Sequence, residues 1–165
     1  VLSEMRRGHT IEQYLGIVDK FKTEIPDITL AVDIIVGYPT ETDDDFDMTV
    51  ELLEKIKPSL IHLSKYQHRK GAISSSLKEI PPDVMKKRSK FLSEIKSEIT
   101  AEENEHLVGT TQNVLVVEKG SKGGFIAKTD SYIPVIVDDV ELGSFVDVKI
   151  TDATATYLLS ELLKD

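Results

Sequence analysis

Two titratable side chains interrupt runs that are otherwise largely apolar: Asp33 within residues 28–36 (ITLAVDIIV) and His62 within residues 60–66 (LIHLSKY). A carboxylate and an imidazole on neighbouring strands could act as acid and base, could line a ligand cavity, or could be hydrogen-bonded structural groups. Residues two apart share a strand face. Asp33 therefore stands with Ala31, Ile35 and Gly37, opposite Leu30, Val32, Ile34 and Val36. His62 stands with Ser64 and Tyr66, opposite Ile61, Leu63 and Lys65. Each strand is expected to turn an apolar face to helices and a polar face inward. A barrel interior filled by side chains favours branched apolar residues, so a polar interior points to a wetter cavity that holds a ligand.

The surrounding elements are legible from spacing. A near-continuous Val/Ile/Leu run predicts a strand covered on both faces, as in a parallel sheet. Ligands in such folds collect at the carboxyl ends of strands, which is where residues 37–42 (GYPTET) stand. Thr10 with Gln13, and Thr42 with Asp45, read as capping boxes. They open helices that stop before Pro26 and Pro58. Asp43, Asp44 and Asp45 then complement the positive end of a helix dipole, which accounts for them better than a metal site does. Residues 67–76 are a loop by composition, and Pro81-Pro82 starts a connector helix over about 82–106, with Met85, Leu92, Ile95 and Ile99 as its buried stripe.

Beyond Gly109 the pattern changes to short strands at 113–118, 125–129, 132–137 and 144–151, with 155–162 as a final candidate. Turn-rich segments between them predict a small antiparallel barrel, with Phe125 and Phe145 expected in its core. The chain thus reads as two domains, 1–106 and 107–165. The first has only two strands, which would leave sheet edges unpaired. It is expected to be a piece of a larger barrel or to pair with another copy through those edges, and the start at Val1 rather than Met favours the first option.

The chain has 165 residues and no cysteine. It therefore offers no disulfide, no thiolate nucleophile and no cysteine ligand for zinc or an iron–sulfur cluster. Its four histidines, His9, His62, His68 and His106, lack zinc-ligand spacing, so no metal site is expected. No apolar stretch approaches the ~20 residues of a spanning helix, and the amino-terminal residues are charged rather than signal-like, so no membrane association and a cytoplasmic location are expected. The net charge of −9 is uneven: residues 1–54 carry 4 basic and 13 acidic side chains, 55–96 carry 11 and 3, and 97–165 carry 5 and 13. A basic centre can steer a polyanion. For Lys86, Lys87, Arg88 and Lys90 a solvated helix face is an equal alternative.

Taken in order, the segments MRRG (5–8), DIIVGYPTET (33–42), KYQHRKG (65–71) and KKRS (86–89), followed by the small β module, resemble the tRNA methylthiotransferases. These are radical S-adenosylmethionine enzymes, and the branch acting on threonylcarbamoyladenosine beside the anticodon is the most similar. The resemblance covers essentially the whole chain but only the carboxy-terminal part of the family. It implies a partial radical-SAM (β/α) barrel followed by a TRAM domain, a small OB-like barrel that binds RNA. The [4Fe-4S] clusters would be held by cysteines of a missing amino-terminal part, and this chain alone would be inactive. Implied contacts to S-adenosylmethionine are Arg7, for its carboxylate, with Asp33, Ile35, Gly37, His62, Ser64 and Tyr66. Implied contacts to tRNA are Lys65, His68, Arg69 and Lys70, and in the β module Lys122, Phe125, Lys128, Thr129 and Tyr132. The net charge of −4 over residues 108–165 predicts weak RNA binding by that module alone. A free-standing RNA-binding module on an inert scaffold, and an unrelated α/β enzyme using Asp33 and His62, are the alternatives.

Overall fold

Thr10 opens the first helix as its spacing to Gln13 predicts: its hydroxyl accepts from the Gln13 N–H at 3.3 Å, while Gln13 Oε1 accepts from the Thr10 N–H at 2.9 Å. The computed structural model describes every residue except Asp27, Lys122, Lys164 and Asp165. The chain divides into two compact units, Val1–Lys96 and Ser97–Asp165, and the long third helix belongs in part to each.

The first unit contains α1 (Ile11–Glu24), β1 (Ala31–Val36), α2 (Asp43–Ile56), β2 (Leu60–Lys65), a short 3-10 turn (Ile73–Ser76) and the start of α3 (Pro82–Glu105). The second capping box is also formed, Thr42 Oγ1 accepting from the Asp45 N–H at 3.1 Å and Asp45 Oδ2 from the Thr42 N–H at 3.0 Å. Strands β1 and β2 are parallel and in register from Ala31 opposite Leu60 to Val36 opposite Lys65. Val32, Val36 and Ile61 are buried, as are Leu53 and Ile56 of α2 and Leu92 of α3.

One expectation about this sheet is corrected. The apolar run predicts cover on both faces, but Ala31, Asp33, Ile35, His62 and Ser64 are exposed. A parallel crossover places its connecting helix over one face only, and that is the face bearing Val32, Val36 and Ile61. The polar face is therefore open rather than enclosed.

In the second unit, β3 (Thr111–Lys119), β4 (Phe125–Lys128), β5 (Pro134–Val137), β6 (Phe145–Ala153) and β7 (Leu158–Leu162) close into a barrel in the order β3-β4-β5-β7-β6. The expected all-antiparallel pairing is corrected at one seam, since β5 and β7 run parallel. Inward positions alternate along the strands: Val114 and Val116, Val135 and Val137, Val148 and Ile150 form the core with Ala127 and Leu158. The end of α3 belongs to this unit, because buried Asn104 donates from Nδ2 to Thr154 O at 2.7 Å. Gly109 then turns the chain into β3 at φ +85°, its N–H donating to Ile150 O at 2.8 Å.

Candidate functional site

The carboxyl ends of β1 and β2, together with residues from the amino-terminal segment, border a cavity of about 780 Å³. Arg7, Asp33, Ile35, Ser64 and Tyr66 line it, and so do Lys65 and Arg69. Five of the seven residues expected at a cofactor, and two of those expected at nucleic acid, are therefore gathered at one place. A larger cavity of about 990 Å³ shares Arg7, Asp33 and Ile35 and is lined elsewhere by apolar Ile11, Met48, Leu52 and Leu92 together with polar His9, Gln13, Glu41 and Asp45. The smaller cavity combines a cation, an apolar wall and hydroxyls, the mixed lining that orients a small ligand.

His62 and Gly37 stand outside that group. His62 is directly opposite Asp33 in the parallel register, so the two share the open face, but the imidazole does not line either cavity. Gly37 is corrected more firmly. It is buried at φ +86°, a Cβ there would lie 2.8 Å from Met85 Cε, and its N–H is taken by Glu41 Oε2. Its backbone approaches helix α3 and a carboxylate rather than a ligand.

The turn after β1 is held by a buried ion pair. Glu41 Oε1 lies 3.4 Å from Arg88 Nη1, with each side chain 8% exposed. Arg88 also donates from Nη2 to Asp43 Oδ1 at 2.6 Å and from Nη1 to Glu41 O at 3.2 Å, and its guanidinium lies 5.3 Å from the Phe46 ring centroid. Burial raises the Glu41 carboxyl above its ordinary value, while the Gly37 N–H and Arg88 pull it back down. Arg88 is thereby removed from the basic surface expected of residues 86–90. Lys90 pairs with Glu94 at 3.6 Å, and Lys86 and Lys87 remain exposed.

At the cavity's rim Tyr66 meets buried Tyr38 edge-to-face, with ring centroids 5.5 Å apart, and its hydroxyl donates to Ser74 Oγ at 2.9 Å. The loop after β2 is fastened through that bond. Arg69 lines the cavity, His68 faces Glu79 at 3.7 Å, and Lys70 is exposed outside the cavity lining.

In the barrel, Lys122 lies outside the described residues. Thr129 is corrected from a contact residue to a structural one: it is 6% exposed, and its hydroxyl accepts from the Ile133 N–H at 3.1 Å. Phe125 packs against the barrel core. Its ring is partly spent on packing and is not a free platform. Lys128 and Tyr132 remain outward, with Lys128 Nζ donating to Tyr132 O at 3.3 Å and Tyr132 79% exposed. Phe145, expected in the core, is instead 65% exposed. Alternation from Phe145 to Ile150 holds the signal, since Phe145 shares its side with Asp147 and Lys149 while Val148 and Ile150 face inward. No comparable signal pairs Glu41 with Arg88, which lie on different elements.

Comparison with known proteins agrees with the architecture. Residues 105–163 match the TRAM domain model. The chain is 57% identical over 161 residues to the probable threonylcarbamoyladenosine tRNA methylthiotransferase of Methanothermobacter thermautotrophicus, a match covering 98% of this chain and 38% of that protein. It is 36% identical over 162 residues to the probable threonylcarbamoyladenosine tRNA methylthiotransferase of Archaeoglobus fulgidus, again covering 98% of this chain and 38% of the relative. A tRNA-2-methylthio-N(6)-dimethylallyladenosine synthase of Corynebacterium urealyticum is 35% identical over 176 residues, covering 98% and 32%. The chain thus spans less than two fifths of the length of these relatives. It carries a TRAM domain and matches, over nearly all of its residues, a part of archaeal proteins named as probable threonylcarbamoyladenosine tRNA methylthiotransferases.

Proposed function

We propose that this chain contributes the S-adenosylmethionine-contacting and tRNA-contacting portion of a tRNA methylthiotransferase that modifies threonylcarbamoyladenosine in the cytoplasm. The observation that carries this reading is the 57% identity to a protein so named, extending across both units rather than the TRAM domain alone. In this reading the parallel pair β1–β2 is a portion of a radical-SAM barrel, completed by chain that the relatives have and this sequence lacks.

The residues present fit one implied cofactor and not the other. An iron–sulfur cluster finds no thiolate here, because the chain has no cysteine. S-adenosylmethionine, which in such enzymes supplies the methyl group and the means of radical generation, fits the cavity of about 780 Å³ in size and in lining. Arg7 offers a charge-assisted partner for a carboxylate. Ile35 supplies an apolar wall, and Ser64 and Tyr66 supply polar atoms beside it. Lys65 and Arg69, on the same rim, provide cations for a phosphate of the incoming tRNA. Positioning of the cofactor and of the tRNA is thus what this chain contributes to the reaction.

The test uses the complete product of the reading frame that contains this chain. After anaerobic reconstitution it should show iron–sulfur absorbance and should convert threonylcarbamoyladenosine to its methylthio form in tRNA. A colourless, cluster-free product with no effect on the tRNA nucleosides would overturn the assignment. Arg7→Ala is expected to weaken S-adenosylmethionine binding without altering cluster absorbance.

A further inference from the structure

Phe145, Leu115 and Lys128 lie side by side across three adjacent strands of the barrel: Leu115 is the register partner of Phe145 on β6 and of Lys128 on β4. All three point outward, because their neighbours Val114, Val116, Ala127 and Val148 fill the core. Neighbouring strands are ~4.8 Å apart, which sets the backbones of Phe145 and Lys128 about 10 Å from each other, with Leu115 as an apolar floor between them. On the far side of Lys128 stands Tyr132, 79% exposed and tied to it by the 3.3 Å bond from Nζ to Tyr132 O. Tyr132 has φ +64°, a conformation that costs a bulky residue energy and that Gly or Asn would adopt more readily. A large ring is thus displayed where the backbone alone would favour a small residue.

We propose that Phe145, Lys128 and Tyr132 form a stacking strip for single-stranded RNA, taking a base on each ring and a phosphate on the ammonium between them. This rests on the RNA-binding reading of the TRAM domain and assigns the contact surface within it. Exposed aromatic rings bind bases through their π-faces without regard to sequence, and a lysine between them follows the backbone. The neighbouring acid on this face, Asp147, has one oxygen engaged by Asn113 Nδ2 at 2.7 Å, which fixes the carboxylate against its own strand pair. Two exposed rings with a lysine between them match the alternating bases and phosphates of a single strand, whereas an apolar protein partner would leave the ammonium unpaired; Leu142 and Val117 are further exposed apolar side chains of this unit.

The strip offers a driving force that does not depend on charge in a domain whose overall charge is unfavourable. With a net −4 over residues 108–165, phosphate neutralisation alone is a weak driving force. Stacking is insensitive to that charge.

The experiment titrates the intact chain against a short, labelled single-stranded RNA at several salt concentrations. Phe145→Ala and Tyr132→Ala are each expected to weaken binding by roughly fivefold to a hundredfold with the salt slope unchanged. Phe145→Trp should keep the affinity. Lys128→Met should lower the slope by about 0.7, the value for one phosphate on a single strand. Circular dichroism and thermal unfolding establish that the variants are folded. If the intact chain binds and the alanine variants bind equally well, the strip is wrong while the RNA-binding reading stands. If Phe145→Ala instead abolishes self-association in sedimentation and leaves RNA affinity unchanged, the face belongs to a protein interface and the proposal fails. No binding by the intact chain at low salt would remove the RNA-binding reading itself.

Discussion

The guanidinium of Arg88 lies 3.4 Å from the Glu41 carboxylate, in a place where both side chains are 8% exposed. This pair joins α3 to the turn after β1, since the same carboxylate accepts the Gly37 N–H. Removing one partner of a buried ion pair leaves an uncompensated charge, at about 3–5 kcal/mol. Arg88→Ala is therefore expected to lower the stability of the first unit by about 3 kcal/mol in urea unfolding. Asp43→Ala should cost much less, because that carboxylate is 92% exposed.

Glu41 also sets a pH dependence. Burial is the main cause that raises its carboxyl above the ordinary 4.5. The folded chain accordingly holds this proton at pH values where the unfolded chain has released it. The associated stability is complete below about pH 4.5 and declines as pH rises through the interval above it. Glu41→Gln should flatten that decline in unfolding free energies measured across mildly acidic pH.

Asp45 acts in the opposite sense. The Thr42 N–H and then the Thr42 hydroxyl hold its carboxyl below the ordinary 3.8, so its contribution is present above that value and fades as pH falls further. Thr42→Ala removes the cap of α2 and should cost about 1 kcal/mol. Thermal unfolding at neutral pH checks the loss.

Gly37→Ala is expected to destabilise by about 1–2 kcal/mol, the cost of a left-handed backbone for a residue with a Cβ. The new Cβ would also lie 2.8 Å from Met85 Cε and 3.0 Å from Met85 Cγ, a crowding that the unbranched side chain can relieve by changing rotamer, so the backbone term is the larger. Combining the change with Met85→Ala should therefore fail to restore stability, which distinguishes backbone strain from crowding.

Thr129→Val should destabilise the barrel by about 1–3 kcal/mol, since it leaves the Ile133 N–H without its side-chain partner. Thr129→Ser should retain most of the stability. Hydrogen exchange of the Ile133 amide reports the loss directly.

Local signals gave the elements, and long-range contacts gave the surprises. Both capping boxes form as the spacing of Thr10 to Gln13 and of Thr42 to Asp45 predicts. All five barrel strands occur at or near their expected places, with Ile133 and Tyr132 passing from strand to turn because Thr129 bonds to the backbone there. Period-two alternation placed Asp33 with Ile35 and His62 with Ser64, and these are the residues of the open face. Enclosure of that face did not follow, because alternation says which residues share a side and not what covers it. The Arg88–Glu41 pair was hidden for a similar reason: in sequence, Arg88 is one cation in a run of four within residues 86–90, and only the packing of α3 separates it from Lys86, Lys87 and Lys90. Phe145 faces outward because it opens an alternating strand just after a glycine turn, and that position outweighs the preference of its residue type for the core.

The circular order β3-β4-β5-β7-β6 returns to its starting strand. A sheet that meets itself presents no ladder for a foreign strand to extend, so this unit carries its own protection against edge-to-edge association. Among the described residues the two-stranded β1–β2 element has no such closure, so both of its outer edges stay available for another strand.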